Sequence, residues 1–339
     1  MSKKFFLPPH CINEVAMTLT DGQSMAWNTQ MLNIPEIHSL YAITGEDVTV
    51  GMIDTGVYNH PDLKFEKILN ATNESYDPTN HRSLNGHGVG VAGVIAAKNN
   101  NLGFLSVAPD CKLVAVKGMR ENGTGMMKEI VKAMYMCAEN GCSFINMSLG
   151  TPSKSHDLYM AVRELRDKGI LIVAASGNSG RVGGKNEVNY PARYEETIAV
   201  AAINQNKKVS SFSSKGWEVE IAAPGEHIMT TWLNNSYSAL SGTSFAAPHV
   251  TGILALLKQA GVAVSAKLLS DTAMDIEDVA RDIKTGYGLI NPYQIVYRTN
   301  QKPQVSPSAQ ITITSAIDFA QAVEAYNKIG NFLRANKVI

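Results

Sequence analysis

The sequence predicts an α/β fold in which a mostly parallel sheet is covered by helices on both faces. Short, nearly uniform apolar segments are typical of strands buried on both sides, and here they alternate with longer segments of helical periodicity. This β-then-α alternation requires right-handed crossover connections, which place helices on the two faces of a parallel sheet. The predicted strands are Val48–Ile53, Leu113–Val116, Phe144–Met147, Ile170–Ala174 and Ile198–Ala202. The predicted helices are Val91–Lys98, Met126–Glu139, His156–Lys168 and Phe245–Lys258.

The composition is that of a globular protein without a strong charge. The 339 residues are 45% hydrophobic and 18% charged, and 30 Lys and Arg balance 30 Asp and Glu. A neutral balance argues against a general nucleic-acid binder or an anionic-membrane binder, since both need a basic excess. No apolar run approaches the roughly 18 residues of a membrane span. We therefore expect neither nucleic acid nor membrane among the partners.

The N-terminus and the cysteines indicate a reducing compartment. After the charged start, only three apolar residues, Phe5–Leu7, precede two prolines, which is too short for the apolar core of a signal peptide. The four cysteines lack CxxC spacing and the density of a disulfide scaffold, so we expect buried or free thiols. They are Cys11, Cys111, Cys137 and Cys142. The expected location is cytoplasmic.

The first chemical motif is Asp54-Thr-Gly56, at the end of an apolar strand. Aspartic proteases also use Asp-Thr-Gly, but they need two such loops whose carboxylates share a proton. This chain has one, in α/β surroundings, so Asp54 is better suited to orienting another group. A simple strand-ending turn is the alternative when the motif is taken alone.

The second motif is His87-Gly-Val-Gly-Val-Ala-Gly93, which contains the dinucleotide pattern GxGxxG at Gly88, Gly90 and Gly93. That pattern is weak without a preceding strand, and residues 77–86 resemble a loop. In the alternative interpretation, His87 begins a helix whose small residues let it lie close to a neighbour. A dinucleotide-dependent oxidoreductase remains the weakest of the functional hypotheses.

The third motif is Gly242-Thr-Ser244-Phe-Ala-Ala-Pro-His249, just before an apolar helix. Ser244 could be an N-cap, but a nucleophile there would also benefit from the helix dipole. A serine nucleophile needs a base, and the base needs an orienting carboxylate. Asp54, His87 and Ser244 occur in the chain order Asp, His, Ser, which is the order found in subtilisin.

Over residues 22–295 the chain resembles the subtilisin-like serine proteases (subtilases), and the intracellular subtilisins most of all. Supporting motifs are Ser148–Gly150, Ala175–Asn178, Ala223–Gly225 and Gly286–Leu289. The resemblance implies a subtilisin-like three-layer fold and a serine endopeptidase that cleaves protein or peptide substrates through an acyl-enzyme. It implies a catalytic triad of Asp54, His87 and Ser244.

The resemblance also implies roles for residues around the triad. Asn178 and the Ser244 N–H would form the oxyanion hole, where donors meet the charge that develops on the carbonyl oxygen. The edge formed by Ser148, Leu149 and Gly150 would pair with extended substrate, and Asn189 would form the floor of the pocket for the residue before the cut. The chain departs from the family pattern at Val89 and Gly90, where a hydroxyl and a second imidazole are usual. A catalytically weakened, subtilase-fold binding protein is therefore the alternative function.

Calcium is the cofactor that the resemblance implies. Calcium takes six to eight oxygen ligands, many of them neutral. The matching ligands are the side chains of Gln23, Asp62 and Asn100, and the carbonyls of Lys98, Leu102 and Phe104. A weaker cation site near Ala192, Tyr194 and Thr197 rests on the resemblance alone.

Three regions are expected along the chain. Residues 1–21 are expected to be an inhibitory pro-extension of a zymogen, because Phe5–Pro9 is apolar enough to fill substrate pockets and its prolines favour an extended backbone. The intracellular subtilisins carry a comparable extension. Residues 22–295 form the peptidase domain, and 296–339 form a linker and a C-terminal helix over Ala316–Ala335. That helix either folds back on its own domain or contacts a partner, such as a second copy in a homodimer.

Overall fold

The computed structural model describes residues 4–7, 11–17, 22–80, 85–180 and 187–299. Residues Met1–Lys302 group into one unit. The predicted C-terminal helix Ala316–Ala335, and all but the first four residues of the predicted region 296–339, lie outside the described residues. Nothing in the structure therefore tests the homodimer or the placement of that helix.

The described residues form strands and helices in alternation over most of the chain. The strands are β1 (Lys4–Phe6), β2 (Cys11–Met17), β3 (Thr49–Asp54), β4 (Lys67–Asn70), β5 (Lys112–Lys117), β6 (Thr124–Met126), β7 (Phe144–Met147), β8 (Leu171–Ala175), β9 (Thr197–Ile203), β10 (Ile221–Pro224), β11 (Ile228–Trp232) and β12 (Ser236–Ser241). The helices are α1 (Trp27–Met31), α2 (Ile34–Tyr41), α3 (His87–Ala96), α4 (Met127–Glu139), α5 (His156–Asp167), α6 (Thr243–Gln259), α7 (Ala266–Thr272) and α8 (Pro292–Thr299).

A seven-stranded parallel sheet forms the centre of the fold. Its order is β10-β9-β8-β7-β3-β5-β4, and every pair in it is parallel. All residues of β7, β8 and β9 are buried, as strands covered on both faces should be. Helix α6 packs along β7 to β10, while α4 packs against β3 and β5. The predicted α/β fold is confirmed, and the five predicted strands are correct to within one or two residues.

Several elements differ from the sequence prediction. Helix α3 begins at His87, four residues before the predicted start at Val91, because its first turn contains two glycines that carry no apolar signal. The edge strand β4 has an exposed first residue and polar ends, so its apolar pattern is short. Helix α8 continues to Thr299, past the predicted domain end at 295. Across the described ranges, no helix is long and apolar enough to cross a membrane.

The sheet brings three loops together at its carboxyl edge. Strands β3, β7 and β8 are neighbours, and they end at Asp54, Met147 and Ala175. Because the carboxyl ends of parallel strands share one edge, the segments that follow these residues lie side by side. These are the segments in which the sequence predicts the acid, the substrate edge and the oxyanion-hole amide.

Candidate active site

Asp54 and His87 form a buried hydrogen-bonded pair. The His87 Nδ1–H donates to Asp54 Oδ1 at 2.8 Å, and the two side chains are 0% and 1% exposed. The same Asp54 oxygen also accepts from the Thr55 N–H at 2.7 Å. An acceptor at Nδ1 fixes the tautomer of the imidazole and leaves Nε2 as its basic nitrogen. The pair therefore has the arrangement of an oriented general base.

Glycines allow α3 to bring His87 this close. The Gly88 N–H donates to Thr55 Oγ1 at 3.2 Å, and a Cβ on Gly88 would collide with the Gly56 carbonyl oxygen. A Cβ on Gly93 would likewise collide with Thr230 and Thr231 of β11. The second motif is thus explained by close packing of a helix that begins at His87, as the alternative interpretation predicted.

Ser244 lies in the first turn of α6, where a buried polar network connects it to the end of β7. Its hydroxyl donates to the Ser148 carbonyl at 3.2 Å, and the Ser148 hydroxyl donates to the Ser244 carbonyl at 2.7 Å. Asn146 donates to Ser148 Oγ at 2.9 Å and accepts from Thr251 at 3.0 Å. These bonds fix the start of α6 against the predicted substrate edge.

Asn178 follows β8 and is held at its oxygen end. Its Oδ1 accepts from the Thr243 N–H at 2.9 Å and from the Thr243 hydroxyl at 2.7 Å. These two donors set the orientation of the amide, so that Nδ2 is the donor end of the side chain. Ser244 is the second residue of α6, and the first N–H groups of a helix have no helical acceptor. The Asn178 amide and the Ser244 N–H, the two donors predicted for an oxyanion hole, therefore both lie around the start of α6.

The predicted substrate edge is engaged by the N-terminus of the chain. Phe6 and Gly150 exchange backbone hydrogen bonds, Phe6 N–H to Gly150 O at 2.9 Å and Gly150 N–H to Phe6 O at 3.1 Å. On its other side, β1 pairs antiparallel with β6. Leu7 continues this pairing, with its N–H donating to Gly123 O at 3.0 Å. Residues 4–7 thus lie as an extended strand between Gly150 and the segment 123–126.

Asn189 lies beside two glycines of the same loops. A Cβ on Gly150 would be 2.8 Å from Asn189 Cβ, and a Cβ on Gly177 would be 2.8 Å from Asn189 Nδ2. The Asn189 N–H donates to the Ser176 carbonyl at 2.9 Å. Asn189 therefore lies between the segments that follow β7 and β8, which is the place predicted for a pocket floor.

The six residues predicted to bind calcium come together from three separated segments. Gln23 Nε2 donates to the Lys98 carbonyl at 2.7 Å, and the Lys98 N–H donates to the Asp62 carbonyl at 2.9 Å. Asn100 Oδ1 accepts from the Leu102 N–H at 3.0 Å. Phe104 forms a parallel bridge with Ser24, next to Gln23.

Asp62 is the electrostatic centre of this cluster. It is fully buried, its Oδ2 accepts from the Tyr237 hydroxyl at 3.2 Å, and its Oδ1 has no hydrogen-bond partner among the described residues. Burial raises its pKa to about 6, against smaller lowering by hydrogen bonds from Tyr237 and Asn100. A buried carboxylate oxygen without a donor fits a cation. Among the described residues, no group of three His, Cys, Asp or Glu side chains forms a metal site, so any cation here would depend on neutral oxygens.

The weaker cation site near Ala192 gains no support from the geometry. The Tyr194 carbonyl already accepts from both the Thr197 N–H, at 3.0 Å, and the Thr197 hydroxyl, at 2.8 Å. These groups satisfy one another.

Comparison with known proteins gives the family. Residues 45–288 match the subtilase family. This chain belongs to the subtilase family. The thermostable alkaline protease of Halalkalibacterium halodurans is 43% identical over 240 residues, which are 71% of this chain and 64% of that protein. Subtilisin DY of Bacillus licheniformis is 43% identical over 253 residues, 73% of this chain and 90% of that protein. The minor extracellular protease Epr of Bacillus subtilis is 36% identical over 315 residues, 91% of this chain and 46% of that protein.

The resemblance to subtilases, a family of serine proteases, is thus confirmed. In all, 226 curated proteins match this chain significantly. The chain spans less than two thirds of the length of the alkaline protease and less than half that of the extracellular protease Epr.

Sequence reasoning missed several residues that position the subtilase site. Asn146 is the one polar residue in the apolar strand β7, and that pattern was the available signal. Thr243 anchors Asn178, and Phe245 contacts His87, with ring centroids 5.4 Å apart. The roles of Thr243 and Phe245 could not be assigned from sequence spacing, because each contacts a residue on a separate element. The pairing of residues 4–7 with the segment 123–126 was not predicted either.

Proposed function

We propose that this chain is a serine endopeptidase that uses Asp54, His87 and Ser244. The observation that carries the proposal is the buried Asp54–His87 pair, 2.8 Å apart, whose imidazole contacts the residue that follows Ser244. An orienting acid, a base and a nucleophile at a helix start are the requirements for nucleophilic acyl transfer. Membership of the subtilase family supports the same assignment.

In the proposed reaction, His87 Nε2 takes the proton from Ser244 Oγ as this oxygen attacks the substrate carbonyl. The developing oxyanion accepts from Asn178 Nδ2 and from the Ser244 N–H, while Asp54 stabilises the imidazolium. His87 then gives the proton to the leaving amine, which produces the acyl-enzyme. Water, deprotonated by the same imidazole, then attacks the acyl carbonyl, and His87 returns the proton to Ser244 Oγ as the acid product leaves.

We propose further that residues 1–21 restrain the enzyme and are removed on activation. Supporting this, residues 4–7 occupy the edge at Gly150 that a substrate backbone would use. Phe5 is fully buried, and the three triad side chains are at most 1% exposed. The residues that follow are Pro8 and Pro9, which lie outside the described residues; proline fixes φ and lacks an N–H, so this segment would be cut slowly.

A fluorophosphonate probe and a peptide substrate test the proposed activity. Wild type incubated with calcium and a variant that starts near Thr20 are expected to take up the probe and hydrolyse peptides. Ser244→Ala is expected to do neither, because the attacking oxygen is missing. Hydrolysis that persists in purified Ser244→Ala would contradict the mechanism. Equal initial rates for full-length and shortened protein, with no shortening of the full-length chain over time, would contradict the restraint.

We propose calcium as the stabilising cofactor. Subtilases generally bind calcium. In this chain the support is the cluster around Asp62, where a buried carboxylate oxygen without a partner lies among neutral side-chain and carbonyl oxygens. When bound there, calcium would supply positive charge that offsets the burial of Asp62 and would join Gln23, near the N-terminus of the domain, to the loop after α3.

We propose a cytoplasmic location for the protein. The support is that Cys111, Cys137 and Cys142 are buried free thiols, and burial raises the pKa of Cys111 to about 12. One relative is itself named as extracellular, so location needs its own test. Cell fractionation with an antibody against the chain is expected to find it in the soluble cell extract. Full-length protein in the culture medium would contradict the proposal.

A further inference from the structure

The departure from the family pattern at Gly90 has a structural counterpart on α6. A Cβ on Gly90 would lie 2.6 Å from Leu240 Cδ1 and 3.2 Å from Phe245 Cε1. A larger side chain at position 90 would therefore press first on Leu240 of β12 and, less closely, on the ring of Phe245. Gly90 is also fixed from β11, because the Thr230 hydroxyl donates to its carbonyl at 2.7 Å. The space beside Gly90 is thus filled by Leu240 of β12 and by the ring of Phe245, which belongs to the helix that carries Ser244.

That ring contacts the catalytic imidazole. The ring centroids of Phe245 and His87 are 5.4 Å apart, with the planes tilted by 49°, and both side chains are fully buried. This separation lies within the range of favourable aromatic pairs. The bond to Asp54 holds His87 at Nδ1, whereas the contact with Phe245 acts on the imidazole ring itself.

The backbone of Phe245 is itself held firmly. Its N–H donates to the Gly242 carbonyl at 3.0 Å, and its carbonyl accepts from His249 Nδ1 at 2.7 Å. Because Phe245 is adjacent to Ser244, its position is tied to that of the nucleophile. A contact between Phe245 and His87 therefore also sets the separation of base and nucleophile.

We propose that Phe245 is a positioning residue for His87, and that glycine at position 90 provides the space that its ring requires. Under this proposal, Gly90 is a matched partner of Phe245 rather than a sign of lost activity. The inference rests on the proposed hydrolytic function, and it assigns Phe245 to the chemical step rather than to substrate binding.

The test compares Phe245→Leu, Gly90→Ala and the double variant in the full chain, incubated with calcium until activity is constant. Active sites are counted with a fluorophosphonate, and kcat and KM are measured with a peptide substrate. Phe144→Leu, another buried phenylalanine in β7, is the control for lost core volume. Phe245→Leu is expected to lower kcat roughly ten- to a hundredfold with KM little changed, because a small misplacement of a catalytic group can cost about 10² in rate.

Gly90→Ala is expected to lower kcat as well, and the double variant to lose less than the product of the two single losses. Such coupling is expected of residues in contact and not of independent sites. Unchanged kcat in Phe245→Leu, a loss no larger than that of Phe144→Leu, or independent effects of the two substitutions would overturn the proposal.

An NMR measurement separates this inference from the proposed function. In the Ser244→Ala chain, the His87 Hε1 resonance is expected to move when Phe245 is replaced by leucine, because the ring current of the phenylalanine is removed. Movement of this resonance together with an inactive wild type would mean that the contact stands and the proposed function fails. An unmoved resonance would overturn the inference even in an active enzyme.

Discussion

His249 lies completely buried inside α6, and its imidazole is held neutral. Its Nδ1–H donates to the Phe245 carbonyl at 2.7 Å, and Nε2 accepts from the Asn28 amide at 2.8 Å. Burial lowers its pKa from 6.5 to about 4. Between these two pH values the unfolded chain binds a proton that the folded chain does not, so stability falls as pH drops through this window. The full effect is about 3 kcal/mol.

We therefore predict that His249→Gln weakens the acid sensitivity of folding. The measurement is the midpoint of urea unfolding at pH 7.5 and pH 5, for wild type and variant. The difference between the two pH values is expected to shrink in His249→Gln, whatever its stability at pH 7.5. An exposed-histidine variant, His227→Gln, is expected to keep the wild-type difference. If His249→Gln loses as much stability as wild type between pH 7.5 and pH 5, groups other than His249 control the fall in stability at acid pH.

At the scale of elements, β1 presents two neighbouring phenylalanines in different surroundings. Phe5 lies opposite Gly125 and is 0% exposed, whereas Phe6 is 48% exposed. Burial of a phenylalanine side chain contributes about 1.5–3 kcal/mol. We predict that Phe5→Ala in the full chain raises the initial rate of peptide hydrolysis roughly ten- to a hundredfold. The reason is that β1 then leaves the substrate edge at Gly150 more often.

Phe6→Ala is the matched control for Phe5→Ala, and it should change the rate far less. Both substitutions remove the same side chain from the same strand, so a difference between them reports burial alone. Equal rates in Phe5→Ala and wild type would mean that the strand does not limit access.

Strand β5 begins and ends with lysine, so substitutions at its two ends can be compared as variant and control. Lys117 is fully buried, and its ammonium donates to the carbonyls of Thr55 and Met119, both at 3.0 Å, with Glu74 at 3.2 Å. Lys112, at the other end, is 46% exposed and pairs with an exposed Asp47. We predict that Lys117→Met lowers the free energy of unfolding by about 2 to 4 kcal/mol, because two carbonyls lose their donor.

Lys112→Met should cost about 1 kcal/mol or less, as surface pairs do. Chemical denaturation of both variants is the measurement. Equal losses in the two variants would show that the ammonium of Lys117 is not what holds the loop after β3 to the loop after β5.

The elements show where sequence reasoning succeeded. Five of the seven strands of the central sheet were predicted, because burial on both faces gives them a continuous apolar pattern, whereas β4 and β10 were not. Asp54, His87 and Ser244 could each be proposed from a local motif, whereas the 2.8 Å approach of His87 to Asp54 is visible only in the structure. Positions such as Asn146 and Phe245 act across distant elements, and no local spacing marks them. The hairpin of β11 and β12 is rich in serine and threonine, so its pattern was not apolar enough to be predicted.

At the scale of the molecule, the residues around Asp62 join segments that are far apart in the sequence. Gln23, Asp62 and Asn100 belong to the chain before α1, the loop before β4 and the loop after α3. A cation bound only by the folded chain raises stability by RT ln(1 + [L]/Kd), about 2.7 kcal/mol at a hundredfold excess over Kd.

We predict a higher melting temperature in millimolar calcium than in EDTA for wild type, and no such difference for Asp62→Ala. Asp47→Ala, which removes a carboxylate that is 83% exposed, should retain the calcium effect. Identical melting of wild type in the two buffers would refute the site.

The pairing of residues 4–7 with Gly150 also has a kinetic consequence. Only three residues separate this segment from β2, which is itself paired with β12 just before Ser244. A ligand tethered so closely is present at an effective concentration in the millimolar range, whatever the protein concentration. One cut in the tether would convert that constant local concentration into the bulk concentration of a free peptide. The cleaved segment would then be diluted away, and the restraint would be lost. Because only religation could restore it, each molecule would be activated once and irreversibly.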